Sequence, residues 1–235
     1  PSIKTMFSKI QIDIDNPFDK LSEESFEQIT KGRYGAVYVS SATHIPVVRT
    51  TTVYQKPARL FTPLLYSIAG HTEHKFNNAM VEMYDTTYKT MAYHSDQALD
   101  LEPESMIALY TCYKDPAAPN RSLQIKNKTT DETQIILLDH NSIVLFSTTI
   151  NSQYLHKIQL TTASLTQWLG ITFRLSKNIL PYPSPLTLAT PEEAKEFCRM
   201  RSAENRSTLY NYPPISYTLS PSDLLPVEGN RQNLG

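Results

Sequence analysis

Between residues 106 and 176 the chain carries six short runs rich in β-branched and aromatic residues: MIALYTCY (106–113), RSLQIK (121–126), TQIILLD (133–139), SIVLFS (142–147), YLHKIQL (154–160) and GITFRLS (170–176). No long helical pattern separates them. Such a succession fits an antiparallel double sheet, a jelly roll or barrel, so the expected fold is mainly β with flanking helices, an α+β chain around a double-stranded β-helix. Upstream, Asn16 as cap and Pro17 at the first helical position precede FDKLSEESFEQITKG. There Phe18, Leu21, Phe26 and Ile29 lie mostly on one face and Gly32 ends the run, which predicts a surface helix. GAVYVS (35–40) and VVRTTTVY (47–54) predict strands. In FNNAMVEMY, Phe76, Met80, Val81 and Tyr84 repeat at helical spacing, although a strand beginning at Val81 is equally compatible.

The organisation that follows is one jelly-roll core over 70–180, preceded by a helix and strands over 1–69 and followed by an extension over 181–235. The extension holds 8 of the 16 prolines. Within it Thr190 as cap, Pro191 and the acidic Glu192 and Glu193 announce one helix, EEAKEFCRMRSAEN, and the rest is expected to lie as an arm on the core. With 40% hydrophobic and 19% charged residues the chain is too apolar to be disordered, and no apolar stretch approaches the roughly 20 residues a bilayer requires. A net charge of -1 supplies no global field towards a polyanion. Cys112 and Cys198 alone offer neither a disulfide framework nor a cysteine zinc cage. The opening PSIKTMFSKIQIDID lacks a leader pattern, so the cytoplasm is the default expectation.

The sharpest local feature is YHSD at 93–96. On a β-type stretch His94 and Asp96, two apart, leave the same face, a spacing that suits two ligands on one metal. His156, in the run YLHKI, is the candidate third ligand. Two imidazoles and one carboxylate form the facial triad of non-haem Fe(II) oxygenases, which leaves coordination positions free for other ligands. His71 and His74 are expected to be solvated, and His140 to be a structural hydrogen-bonder.

Five segments in order over about residues 57–176 resemble the AlkB-like branch of the Fe(II)- and 2-oxoglutarate-dependent dioxygenases. They are PARL (57–60), GHT with FNNAMVEMY (70–84), YHSD (93–96), IILLDHNSIVLF (135–146), and HKI with GITFRLS. The resemblance implies an oxidoreductase that hydroxylates or oxidatively demethylates its substrate with O2, releasing succinate and CO2, with ascorbate able to support activity. It implies that His94, Asp96 and His156 hold iron. Tyr84 and Arg174 match cosubstrate contacts, with Thr172 and Ser176 on the same strand face as Arg174. Tyr93, Arg59, Arg121 and Trp168 are the expected substrate-pocket residues. The chain departs from the pattern twice. Trp168 stands where the family has the arginine that usually partners the distal carboxylate, leaving that role to Arg174 or another base. Glu82 stands where an asparagine is usual, an acid beside a dianion.

For the substrate, only 15 residues (61–75, FTPLLYSIAGHTEHK) separate PARL from FNN, a short lid with one aromatic after Phe61. Family members that repair nucleic acid carry a longer, aromatic-rich lid there to sandwich a flipped base. With the near-zero charge, this favours a small molecule or protein side chain over alkylated DNA or RNA. A non-catalytic jelly-roll binding module is the third reading. The sequence does not set the oligomeric state, and it offers no membrane partner.

Overall fold

The computed structural model describes residues 2–229; the last six residues of the expected arm, 230–235, lie outside the described residues. The longer strands are β1 (Ser8–Gln11), β2 (Glu27–Thr30), β3 (Arg33–Val39), β4 (Asn78–Tyr84), β5 (Met106–Tyr113), β6 (Arg121–Asn127), β7 (Thr133–Leu137), β8 (Ser142–Ser147), β9 (Tyr154–Leu160) and β10 (Trp168–Arg174). The helices are α1 (Ile3–Met6), α2 (Phe18–Ser22), α3 (Pro63–Gly70), α4 (Thr148–Gln153) and α5 (Pro191–Asn205).

A large antiparallel sheet runs in the order β1-β8-β5-β10-β4-β3-β2, with Arg59–Leu60 added parallel to β3. A second sheet, β9-β6-β7, faces it. The segment before Ser95 extends that second sheet by single bridges, Thr90 to Gln159 and His94 to His156, both antiparallel. Non-sequential neighbours such as β8 beside β5 and β10 beside β4 give the jelly-roll topology expected from six short runs.

The large sheet is buried on both faces. Leu169, Ile171 and Phe173 of β10 join Leu65 and Ile68 of α3 and Leu21 of α2 in one core. The alternate residue Trp168 joins Tyr84, Leu123 and Phe146 in a second core between the sheets. Because successive side chains point to opposite faces, this parity also sends Thr172 and Arg174 into the space between the sheets.

The helix expected over 17–31 is corrected. It is one turn, α2, followed by the β2–β3 hairpin, with Gly32 at φ +77° in the tight turn. A Cβ on Gly32 would come within 2.2 Å of Thr87 Oγ1, so the turn demands glycine twice over. The apolar spacing suited either structure, and pairing with β3 decided it. The expected strand at 47–54 is also absent, because side chains take its backbone groups: the Arg49 N–H donates to Asp100 Oδ2 and the Tyr54 N–H to Ser220 Oγ. The ambiguous run at 76–84 is strand β4. The cap expected at Thr190 is present, as a capping box in which Glu193 reaches back to the Thr190 N–H. The arm beyond α5 lies against the core, where Ser222 N–H donates to Tyr54 O and Glu228 N–H to Ala58 O.

Candidate metal centre

His94 and His156 are a cross-strand pair: His94 N–H donates to His156 O at 3.1 Å and His156 N–H to His94 O at 2.8 Å. Two residues on, Asp96 Oδ1 lies 3.3 Å from His156 Nε2 and 3.9 Å from His94 Nε2. One ligand atom from each of the three falls within 4.8 Å of the others. Residues 62 apart in sequence thus converge because the edge segment bridges to β9.

The surroundings aim these atoms. His94 Nδ1 lies 3.0 Å from Ala92 O, and since a carbonyl only accepts, Nδ1 carries the proton and Nε2 keeps its lone pair. Burial and the neighbouring His156 pull the His94 pKa down to about 4, so its ring is neutral at physiological pH. Burial alone would raise the Asp96 pKa. Arg174, whose Nε donates to Asp96 Oδ2 at 2.7 Å, together with the two imidazoles, outweighs it and holds this carboxylate well below its usual range. Two imidazoles and an ionised carboxylate form a donor set that suits a divalent transition ion.

Past His94, side chains hold the backbone of the ligand loop at Ser95, Asp96 and Ala98. Asn151 of α4, 2% exposed, accepts from Asp96 N–H at 2.9 Å and donates to Asp96 O at 2.7 Å. From α5, Asn205 Oδ1 accepts from Ser95 N–H, Glu204 Oε1 accepts from Ala98 N–H, and Arg201 donates to Ser95 O. Beneath, Asp100 is fully buried and receives Arg49, Gln97 and Asn178.

The centre opens into a cavity of about 550 Å³. Of the residues expected from the sequence, Tyr84, Thr172, Arg174 and Tyr93 line it alongside the three ligands. Four others are placed away from it. The Ser176 hydroxyl donates to Val47 O, outside the end of β10. Arg59 pairs with Glu24 at 2.9 Å, and Arg121 is 2% exposed with its guanidinium on Tyr88 O and Asp85 O. The Trp168 ring stacks on Tyr84 with centroids 4.5 Å apart. Arg121 carries a charge that strand parity turns inwards, but backbone carbonyls consume it. His140 Nδ1 accepts from Tyr113 N–H, a structural bond, while His71 and His74 are exposed.

Sequence reasoning missed Asn151, Arg33 and the residues of α5, among which Arg201 and Asn205 also wall the cavity. Only α5 left a signal: Phe197 and Met200 fall at helical spacing, an apolar stripe needing a partner, with Glu204 buried one turn on.

No family model and no curated protein matches this sequence. A solved structure titled "The structure of OsALKBH1" matches with a TM-score of 0.33 and 11% identity, covering 43% of this chain and 50% of that one.

Proposed function

We propose that the protein is a non-haem Fe(II)- and 2-oxoglutarate-dependent oxygenase whose metal is held by His94, Asp96 and His156. One observation carries the reading: the His94–Asp96 pair of one segment and His156 of another, 62 residues on, converge within 4.8 Å at the wall of a cavity between jelly-roll sheets. When bound, ferrous iron supplies oxidation of a substrate C–H bond by O2, coupled to conversion of 2-oxoglutarate into succinate and CO2.

The chain's own residues supply position and charge. Arg174 keeps Asp96 ionised and fixes its Oδ2, leaving Oδ1 toward the two imidazoles. Its Nη1 is buried with no partner among the described residues, a spare donor suited to an anionic ligand beside the centre. Asn151 fixes the Asp96 backbone, and α5 closes one side of the cavity against bulk water. On this reading residues 1–180 are the oxygenase domain and the extension completes its wall.

The substrate is best read as a small molecule or protein side chain. Residues 63–70 form α3, with Leu65 and Ile68 fully buried, and no residue of 61–75 lines the cavity, so the chain has no aromatic lid there to clasp a flipped base. The test is succinate release by the purified protein with Fe(II), ascorbate and 2-oxoglutarate. Slow uncoupled turnover is expected, abolished in His94→Ala/Asp96→Ala. Stimulation by methylated oligonucleotides alone would move the substrate to nucleic acid, and metal binding without succinate under any substrate would leave a binding module.

A further inference from the structure

The cavity wall away from the ligands carries a second charged cluster. Arg33 of β3, Tyr84 of β4 and Trp168 of β10 stand in one row across the large sheet. Arg174 lies six residues further along β10, about 20 Å of strand at ~3.3 Å per residue, and Arg33 and Arg174 both line the cavity. The row offers no cation from β10. The Trp168 indole folds over Gly170, where an added Cβ would come within 2.1 Å of the ring, and its Nε1 donates to Thr111 Oγ1 at 3.3 Å.

Arg33 fills that role from two strands away. Its Nη2 donates to Glu82 Oε1 at 2.6 Å and to Thr52 Oγ1 at 3.4 Å. Glu82 stands two register positions nearer Arg174 on the same face of the sheet, so the ion pair points along the sheet in that direction. Glu82 in turn accepts from the Tyr84 hydroxyl and, at 3.5 Å, from that of Tyr54. It is therefore neutralised by Arg33 rather than left facing the cavity alone. The Arg33 Nε is buried with no partner among the described residues, and the guanidinium carbon lies 5.7 Å from the Tyr88 ring centroid. Of the other two cavity arginines, Arg201 is committed to Glu204 and Ser95, and Arg174, bonded to Asp96 through Nε with Nη1 spare, stands beside the metal ligands rather than remote from them.

Resting on the function proposed above, we infer that Arg33 binds the cosubstrate carboxylate remote from the metal. A 2-oxo dicarboxylate then spans the cavity between the ligand triad and Arg33, with Glu82 holding the guanidinium from its other side. A guanidinium suits this because it stays charged when desolvated and offers donors in a fixed plane.

The test uses the intact chain with Mn(II) under argon. Isothermal titration compares 2-oxoglutarate with 2-oxobutyrate, which keeps the keto acid and lacks the far carboxylate. The wild type is expected to prefer 2-oxoglutarate about tenfold or more. Arg33→Gln/Glu82→Gln, which removes both members of the ion pair and leaves no orphan charge, is expected to erase that preference while 2-oxobutyrate affinity stays within about twofold, and Arg33→Lys to restore part of it. A retained preference in the double variant would place the anchor elsewhere. Equal loss of both acids, with Mn(II) affinity also reduced, would make the pair purely structural. Both results overturn the inference and leave the proposed function standing, whereas a wild type that binds Mn(II) but neither acid overturns that function and this inference with it.

Discussion

Asn151 is five residues before the third candidate ligand, yet it serves the second. Its amide meets both backbone groups of Asp96, at 2.9 and 2.7 Å, in a site 2% exposed, and those groups have no other partner among the described residues. Asn151→Ala leaves a buried N–H and a buried C=O unsatisfied. At about 1–3 kcal/mol each, the expected loss is about 2–6 kcal/mol, less where water enters the vacated space. A domain of this size has roughly 5–15 kcal/mol in hand, so the variant should still fold. Urea unfolding with chelator and with saturating Mn(II) separates two effects. The midpoint should fall without a change in slope, and Mn(II) affinity should fall about 10–100-fold, because a freed Asp96 backbone no longer presents its carboxylate to the imidazoles. Asn151→Asp should do no better, since it sets a carboxylate oxygen against the Asp96 carbonyl. Stability within about 0.5 kcal/mol of wild type, with unchanged Mn(II) affinity, would refute the claim that this residue holds the ligand loop.

The α5 clamp predicts that Arg201→Ala/Asn205→Ala weakens Mn(II) binding while far-ultraviolet circular dichroism stays unchanged, because Ser95 loses its backbone partners and Glu204 its ion pair while the strands and helices keep their own hydrogen bonds; unaltered affinity would make α5 a bystander. Asp100→Ala strands the buried Arg49 guanidinium and should cost about 3–5 kcal/mol in chemical denaturation, and a loss below about 1 kcal/mol would show that Arg49 finds other partners. Burial, with Asp100 adding to it, raises the Asp223 pKa to about 6 against the opposing Thr218 hydrogen bond and Arg49. Its contribution to stability is then fully present below about pH 4 and lost as pH rises through about 6. Asp223→Asn should therefore raise Tm relative to wild type at pH 8 and not at pH 4, and equal shifts at both would remove Asp223 as the cause.

Most strand positions over 106–174 were legible because all the runs but 133–139 bury at least one face, and a period of two marks a face without knowledge of the partner. The sequence runs at 106–113, 142–147 and 154–160 coincide with β5, β8 and β9. The same parity turns Arg174 and His156 inwards, and the H-x-D pair with a distant histidine named the three residues that the structure brings together. What failed depended on partners far away in the chain. Phe18 to Ile29 could have been one helix until β3 claimed Glu27–Thr30, and Val47–Tyr54 looked like a strand until Asp100 and Ser220 took its backbone donors. Arg121 and Arg33 are indistinguishable as residues; one is spent on carbonyls, the other faces a cavity. Asn151 and α5 belong to the centre only because the chain returns to the Ser95–Ala98 loop, and hydrogen bonds between residues some 55 to 110 apart leave no periodic trace. Local pattern therefore settled which way side chains point, and the tertiary structure alone settled what they meet.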